Sequence, residues 1–349
     1  MSTAPKFGLV MSGGGAKGAF QVGAIKALAE LGVQVEGIAG ASIGALNGAI
    51  VASAPSLAVA AERLDEVWKT LAHLELFKVH PKFPAYLALL AGSGLALKGS
   101  AFNSTLLRLL AIDSTLPGST NGSAGALSTG PLQTLLDKYL DSESLNTGLP
   151  LYVSAYQDRG AESLMQVILA ELGFRENPDS EFFHVQSFRP EEQKALLLAS
   201  AAIPLLFETQ EINGKHYSDG GQGGWQRVQG NTPITPLIDA GYSHIIVTHL
   251  IDGSLWSRRN FPDTTIIEIR PRGQLSDSML DIVGFHPDKI EAWIQKGYDD
   301  THACWERIRK SIESVNNLRS SVNSLAVSEE TYGALEMETD AAMSRIRGS

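Results

Sequence analysis

The opening stretch of the chain, up to Pro55, runs twice from a short apolar segment through small residues straight into a helical pattern, and few folds accept that order. Phe7-Gly8-Leu9-Val10-Met11 has the length and character of a buried strand, stopped by Ser12 and the glycines Gly13 to Gly15. From Ala19 the apolar positions Val22, Ile25, Leu28 and Ala29 recur at helical spacing until Gly32, a natural C-terminal stop. Val33–Ala39 is a second strand and Ile43–Ala52 a second helix, small enough in its side chains to sit in a core. A right-handed crossover then lays the two strands parallel in one sheet, so the spacing predicts an α/β protein.

Both strand ends carry glycine patterns with chemical meaning. Gly13-Gly14-Gly15-Ala16-Lys17-Gly18 matches G-x-G-x-x-G between a strand and a helix. One reading is a dinucleotide site of the Rossmann type, with pyrophosphate on the helix N-terminus and an acid about 20 residues further on. Glu36 lies 18 residues after Gly18 but precedes the apolar end of its strand instead of closing it. A Walker A loop needs Ser or Thr where Gly18 follows Lys17. The other chemical reading is an oxyanion hole, in which backbone N–H groups aim at one point and the helix dipole adds positive potential. A plain tight turn is the third.

Gly40-Ala41-Ser42-Ile43-Gly44 is G-x-S-x-G at the second strand–helix junction. A serine on so sharp a bend needs small neighbours before its hydroxyl can stand clear of the chain. Its position beside the first glycine turn favours the oxyanion-hole reading over the dinucleotide one.

The 349 residues hold 28 Lys+Arg against 38 Asp+Glu, a formal charge of −10, which argues against broad phosphate-driven binding of nucleic acid. Hydrophobic residues make up 44 %, too many for disorder over most of the chain. The single cysteine, Cys304, excludes an internal disulfide framework and a cysteine-built metal site. No secretory signal is visible. The longest apolar runs, Ala85–Leu97 with its breaks and Ala195–Phe207, fall short of the roughly 20 residues a membrane span needs. A cytoplasmic protein is expected, with peripheral contact at the inner face of a membrane still open to it.

Further along, residues 56–90 look helical, 113–130 read as a Ser/Thr/Gly surface loop, and Pro131–Leu140 as a short helix. Leu149–Ala155 and Glu162–Leu169 look like strands, and Glu191–Ala202 is a helix closed by Pro204. His244–Leu250 and Thr264–Ile269 are β-branched runs suited to buried parallel strands. Residues 286–318 form a long amphipathic helix or pair, and the polar stretch after Ser320 is expected to fray. The expected organisation is one domain over 1–318, with insertions near 92–130 and 222–230, and a polar tail over 319–349.

A serine nucleophile needs a base. Only one strand precedes Ser42, which argues against an α/β-hydrolase, and of the eight histidines only His249, ending an apolar strand, stands out. Asp219-Gly220-Gly221 offers a carboxylate on a tight turn, as well as the bland reading of a simple turn signal. With these three ordered motifs on the page, residues 7–300 resemble the patatin-like phospholipases. Softer matches are Ala199-Ser200-Ala201-Ala202-Ile203-Pro204, Asn231-Thr232-Pro233 and Gly297-Tyr298.

The resemblance implies a three-layer α/β/α fold with a mostly parallel central sheet. It also implies a Ser–Asp dyad of Ser42 and Asp219, an oxyanion hole from Gly13, Gly14, Gly15 and Ala16, and supporting motif positions Lys17, Gly18, Gly40, Gly44, Gly220 and Gly221. The activity implied is hydrolysis of fatty-acyl esters of membrane phospholipid through an acyl-enzyme, with no metal and no cofactor. A non-catalytic lipid-binding scaffold is the alternative use of such a site. Some bacterial members of this size are anti-phage effectors activated by a cyclic dinucleotide, so such an activator is a further expectation, with Arg258, Arg259, Arg270 and Arg272 as candidate contacts. Gln222–Gly230, carrying Trp225 and Arg227, departs from the pattern and reads as a lid or as a plain surface insertion. Phe83–Leu97 and the Trp225 loop are candidate lipid contacts; the former reads equally as a core helix.

Overall fold

A computed structural model describes residues 7–73, 130–160, 163, 166, 177–202, 209–224, 229–250, 256–275 and 284–347. The expected insertion near 92–130, the candidate lipid contact Phe83–Leu97, Trp225, Arg227 and most of Glu162–Leu169 lie outside the described residues. The chain divides into two units, Met1–Thr301 and His302–Ser349.

In the first unit the predicted opening holds: β1 (Phe7–Met11), α1 (Ala19–Glu30), β2 (Val35–Gly40) and α2 (Ile43–Ala52) follow one another, and β1 and β2 pair in parallel. Then come α3 (Leu57–His73), α4 (Gly130–Tyr139), α5 (Ser142–Thr147), β3 (Leu151–Gln157), β4 (Glu181–His184) and α6 (Pro190–Ser200). A hairpin of β5 (Gln210–Ile212) and β6 (Lys215–Asp219) turns on Asn213 and Gly214, both at positive φ as a two-residue hairpin loop demands. Helix α7 (Thr235–Asp239), strands β7 (His244–Thr248) and β8 (Thr265–Ile269) and the start of helix α8 (Pro287–Arg347) complete the unit.

One ladder links the strands in the order β5-β6-β3-β2-β1-β7-β8, with β4 on β3. Pairing is parallel from β3 through β2, β1 and β7 to β8, and antiparallel where β3 meets β4 and β6. The continuous apolar character of β1 and β7 follows from burial on both faces. Side chains alternate between those faces. The α2 backbone at Gly48 lies over Met11, Ile38 and Leu151, whereas Val10, Ala39, Ile245 and Val247 pack against Ile234 and Leu237 at α7 and against Trp256. Helices thus cover both faces of a mostly parallel sheet, a three-layer α/β/α arrangement.

The register decides where the strand ends fall. Met11 pairs with Gly40 and with Thr248, so β1, β2 and β7 end level at one edge of the sheet. Val153 of β3 pairs with Gly40 on one flank and with Phe183 on the other. Ala155, two residues on, pairs with Glu181 on that second flank and with Asp219 on the first. Strands β2 and β6 therefore occupy the same flank of β3, run in opposite directions, and point their C-terminal tips at each other.

The second unit is helical throughout its described residues, because α8 continues to Arg347. The stretch expected to fray after Ser320 is helix instead.

Candidate active site

The meeting of the β2 and β6 tips brings Ser42 to Asp219. Ser42 sits at φ 52 and ψ −127, a left-handed backbone that non-glycine residues adopt only under constraint. The bend closes tightly: a Cβ on Gly44 would stand 2.1 Å from the Met11 carbonyl oxygen, so only glycine lets α2 start there. Gly40, the residue paired with Met11, ends the strand two positions before the serine.

Ser42 lies against the Asp219 carboxylate and lowers its pKa, and Asp219 Oδ1 accepts the Gly221 N–H at 2.7 Å. Asp219 is 8 % exposed. Burial pushes its carboxyl up to about 6, and the nearby Ser42 and the hydrogen bond from Gly221 only partly offset that rise. The Gly220 carbonyl accepts from Ser180 Oγ at 2.6 Å, which fixes the turn from below.

The end of α6 grips both residues at once. Ser200 Oγ, fully buried, accepts the Ser42 N–H at 3.1 Å, and the Ala202 carbonyl accepts the Asp219 N–H at 2.9 Å. The Ala199–Ala202 part of the soft motif thus spaces the pair; Ile203 and Pro204 lie outside the described residues.

The first glycine turn faces the same edge. Gly13 does not offer a donor to the site, because its N–H is held by the Asn231 carbonyl at 3.1 Å. Among the described residues the N–H groups of Gly14 and Gly15 meet no carbonyl or side chain. Gly15, at φ 59, opens a single turn of 3-10 helix through Ala16, Lys17 and Gly18, all three buried. Beneath the turn runs a buried polar chain. Trp68 Nε1 donates to Asn47 Oδ1 at 2.9 Å, and Asn47 Nδ2 donates to the Gly18 carbonyl at 3.1 Å and to Gln21 Oε1 at 2.9 Å. Gln21 Nε2 donates to the Ser12 carbonyl at 2.8 Å, while the Ser12 and Thr232 hydroxyls meet at 2.9 Å. Carbonyls at both ends of the turn are thereby held inward. Sequence reasoning missed this chain, although an Asn and a Gln inside otherwise apolar helices are its visible trace, and it held Ser200 only as part of a soft match without a role.

Other expectations fall elsewhere. His249 is buried against Trp256, their rings 5.2 Å apart, and its Nε2 lies 3.2 Å from Glu268. Burial holds its imidazole below the usual range, so it is a structural histidine of the β7–β8 edge and not a partner of Ser42. Burial pushes the Glu268 carboxyl up, but the nearby His249 and the hydrogen bond and charge of Arg270 outweigh it and leave it at about 2. Of the four arginines expected to meet an anionic activator, three face carboxylates. Arg270 lies 2.6 Å and Arg258 3.9 Å from Glu268, and Arg272 lies 2.5 Å from Asp300. Arg259 stands exposed on a one-turn helix. Glu36 belongs to the opposite, N-terminal end of β2, where its carbonyl accepts from Tyr242; that removes the acid the dinucleotide reading required. The 222–230 segment is tied at both ends, Gln222 to Ser218 at 2.9 Å and the Gly230 carbonyl to Ser154 at 2.7 Å. Among the described residues no group of three His, Cys, Asp or Glu is placed to hold a metal, and no helix is long and apolar enough to cross a membrane.

A parallel-sheet α/β core with a strained serine bend, a buried aspartate beside that serine and a glycine turn beside both defines the class of the protein. Within that class, the family model described as patatin-like phospholipase matches residues 9–238, and the chain belongs to that family. Its similarity to named relatives is local. It is 60 % identical over 45 residues to the lysophospholipase nte1 of Aspergillus terreus, 13 % of this chain and 3 % of that protein. It is 41 % identical over 64 residues to the neuropathy target esterase sws of Drosophila melanogaster, 18 % of this chain and 4 % of that protein. The matches thus span only a few per cent of these relatives' own length. Among solved structures, VipD from Legionella pneumophila aligns at TM-score 0.40 and 15 % identity, covering 88 % of this chain and 68 % of that one. The ExoU–SpcU complex of Pseudomonas aeruginosa aligns at 0.36 and 16 %, covering 88 % and 52 %.

Proposed function

We propose that the protein is a lipid acyl hydrolase that cleaves fatty-acyl esters of membrane phospholipid with Ser42 as nucleophile and Asp219 as base. The observation that carries the reading is a serine on a left-handed bend set against an aspartate whose carboxyl burial has pushed up to about 6. A free aspartate, at about 3.9, is too weak a base for a hydroxyl at neutral pH; a desolvated one narrows the gap. In the proposed cycle Ser42 Oγ attacks the acyl carbonyl and passes its proton to Asp219. The N–H groups of Gly14 and Gly15 receive the oxyanion, which contributes more than the base itself. Asp219 returns the proton to the leaving alcohol, and water, deprotonated by the same carboxylate, releases the fatty acid. Family membership and the names of the fungal and fly relatives, a lysophospholipase and an esterase, support an ester of a lipid as substrate.

The proposal extends to peripheral action at the inner face of the membrane and to a cyclic dinucleotide as activator in anti-phage defence. Those two parts rest on the resemblance alone.

The test combines fluorophosphonate labelling with phospholipid hydrolysis, run with and without cyclic dinucleotides. The parent is expected to be labelled at Ser42 and to release fatty acid, while Ser42→Ala and Asp219→Ala lose turnover with their circular dichroism unchanged. Full hydrolysis by Ser42→Ala would sink the assignment, and labelling without turnover of any ester would favour the lipid-binding scaffold.

A further inference from the structure

The second unit has an apolar seam that nothing within it covers. The large apolar side chains standing exposed among the described residues all belong to α8, from Ile312 to Met343. Val315, Leu318, Val322 and Leu325 are separated by three, four and three residues, with Ile308 seven before the first and Tyr332 seven after the last. That is the a/d spacing of a coiled coil, which keeps one stripe facing a neighbouring helix. Val315 is 48 % exposed and Leu318 65 %. The same stretch is rich in weak helix formers, with Ser314, Asn316, Asn317, Ser320, Ser321, Asn323 and Ser324 between or beside the seam positions. A helix of that composition depends on packing for its stability.

We propose that this seam pairs with α8 of a second copy of the chain, in antiparallel orientation. Charge decides both the partner and the direction. Arg307, Arg309, Lys310 and Arg319 outnumber Glu306 and Glu313 in the first part of the unit. Glu329, Glu330, Glu336, Glu338 and Asp340 follow, with no Lys or Arg from 320 to 344. The helix is thus basic then acidic, and two copies are complementary only head to tail. A parallel pair would set Glu329 and Glu336, both at a positions, against their own copies. An antiparallel pair centred between Asn316 and Asn317 seats Val315 of each copy on Leu318 of the other and Ile308 on Leu325. It also brings Glu329 and Glu330 within about one turn of Arg307. A lipid surface would meet both signs of charge on the flanks of this stripe and suits it less.

Sedimentation velocity on the full chain tests this. The parent is expected to run as a dimer at micromolar concentration, and Leu318→Glu with Leu325→Glu as a monomer whose first unit still unfolds cooperatively. Glu329→Lys with Glu330→Lys is expected to weaken the dimer by about tenfold or more, the size of one close charge pair. A monomeric parent, or a dimer indifferent to Leu318→Glu with Leu325→Glu, overturns the pairing. A dimer indifferent to the Glu329 and Glu330 changes overturns the antiparallel direction. A monomer that pellets with anionic phospholipid vesicles only while Leu318 and Leu325 are intact assigns the seam to a membrane and also overturns the proposal.

Discussion

Asp219 is a group that would be more stable without its charge. Its folded pKa, about 6, stands above the value of 3.8 it has when free, so between those limits the folded state holds a proton that the unfolded state has lost. Stability therefore falls as pH rises from about 3.8, and the loss is complete once pH passes about 6. The gap amounts to about 3 kcal/mol by pH 8. Asp219→Asn is expected to raise the urea midpoint at pH 8 and to leave it near the parent's at pH 3.5. The same titration sets activity, because only the ionised carboxylate takes a proton: kcat/KM should climb with pH through about 6 and the Asn variant should have none. An Asn variant no more stable than the parent at pH 8 would mean the carboxyl is not desolvated. What was legible in the sequence at this scale was the local part. A serine between two glycines and an aspartate before two others announce bends by themselves. That Gly13 donates to Asn231, 218 residues away, is a long-range fact that no local pattern carries.

At the scale of elements, α6 acts as a spacer whose last turn serves both members of the pair. Ser200→Ala removes the acceptor for the Ser42 N–H at the buried bend, and an unpaired buried donor costs about 1–3 kcal/mol. The expected signature is a kcat loss larger than any change in KM, with thermal unfolding shifted down; unchanged kcat would show that the bend holds without the clamp. The sequence showed α6 as a helix closed by Pro204 with a soft match at its end, because a local pattern does not report which hydroxyl meets which amide. Helix α8 shows the opposite failure. Its Ser and Asn content reads as frayed tail, while the seam positions sit at 3.5-residue spacing inside that polar background. The helix-or-tail question turned on a partner surface that a single chain does not contain.

Taken whole, the first unit closes by bringing its beginning and its end together. The start of α8 crosses α1 so closely that a Cβ on Gly297 would lie 1.9 Å from the Phe20 carbonyl oxygen, and one on Gly23 would lie 1.8 Å from that of Ile294. Neither oxygen belongs to a side chain that could move aside. Gly297→Val is accordingly expected to lower stability by about 1–3 kcal/mol or more, read as a shifted urea midpoint with unchanged slope. A neutral result would mean the two helices part without cost. The soft match at Gly297-Tyr298 thus belongs to the closure of the fold, which a sequence motif without coordinates could not distinguish from a contribution to chemistry.

The head-on approach of β2 and β6 along one flank of β3 has a further implication for how this protein tolerates change. The spacing of Ser42 and Asp219 is read off a neighbouring strand as marks are read off a ruler, with Val153 and Ala155 as the two graduations. Sliding β6 by a single notch would present Ser218 where Asp219 belongs and turn every side chain of that strand to the wrong face. Changes in the loops around this pair leave that spacing alone, whereas an insertion or deletion inside β3 or β6 would part Ser42 from Asp219.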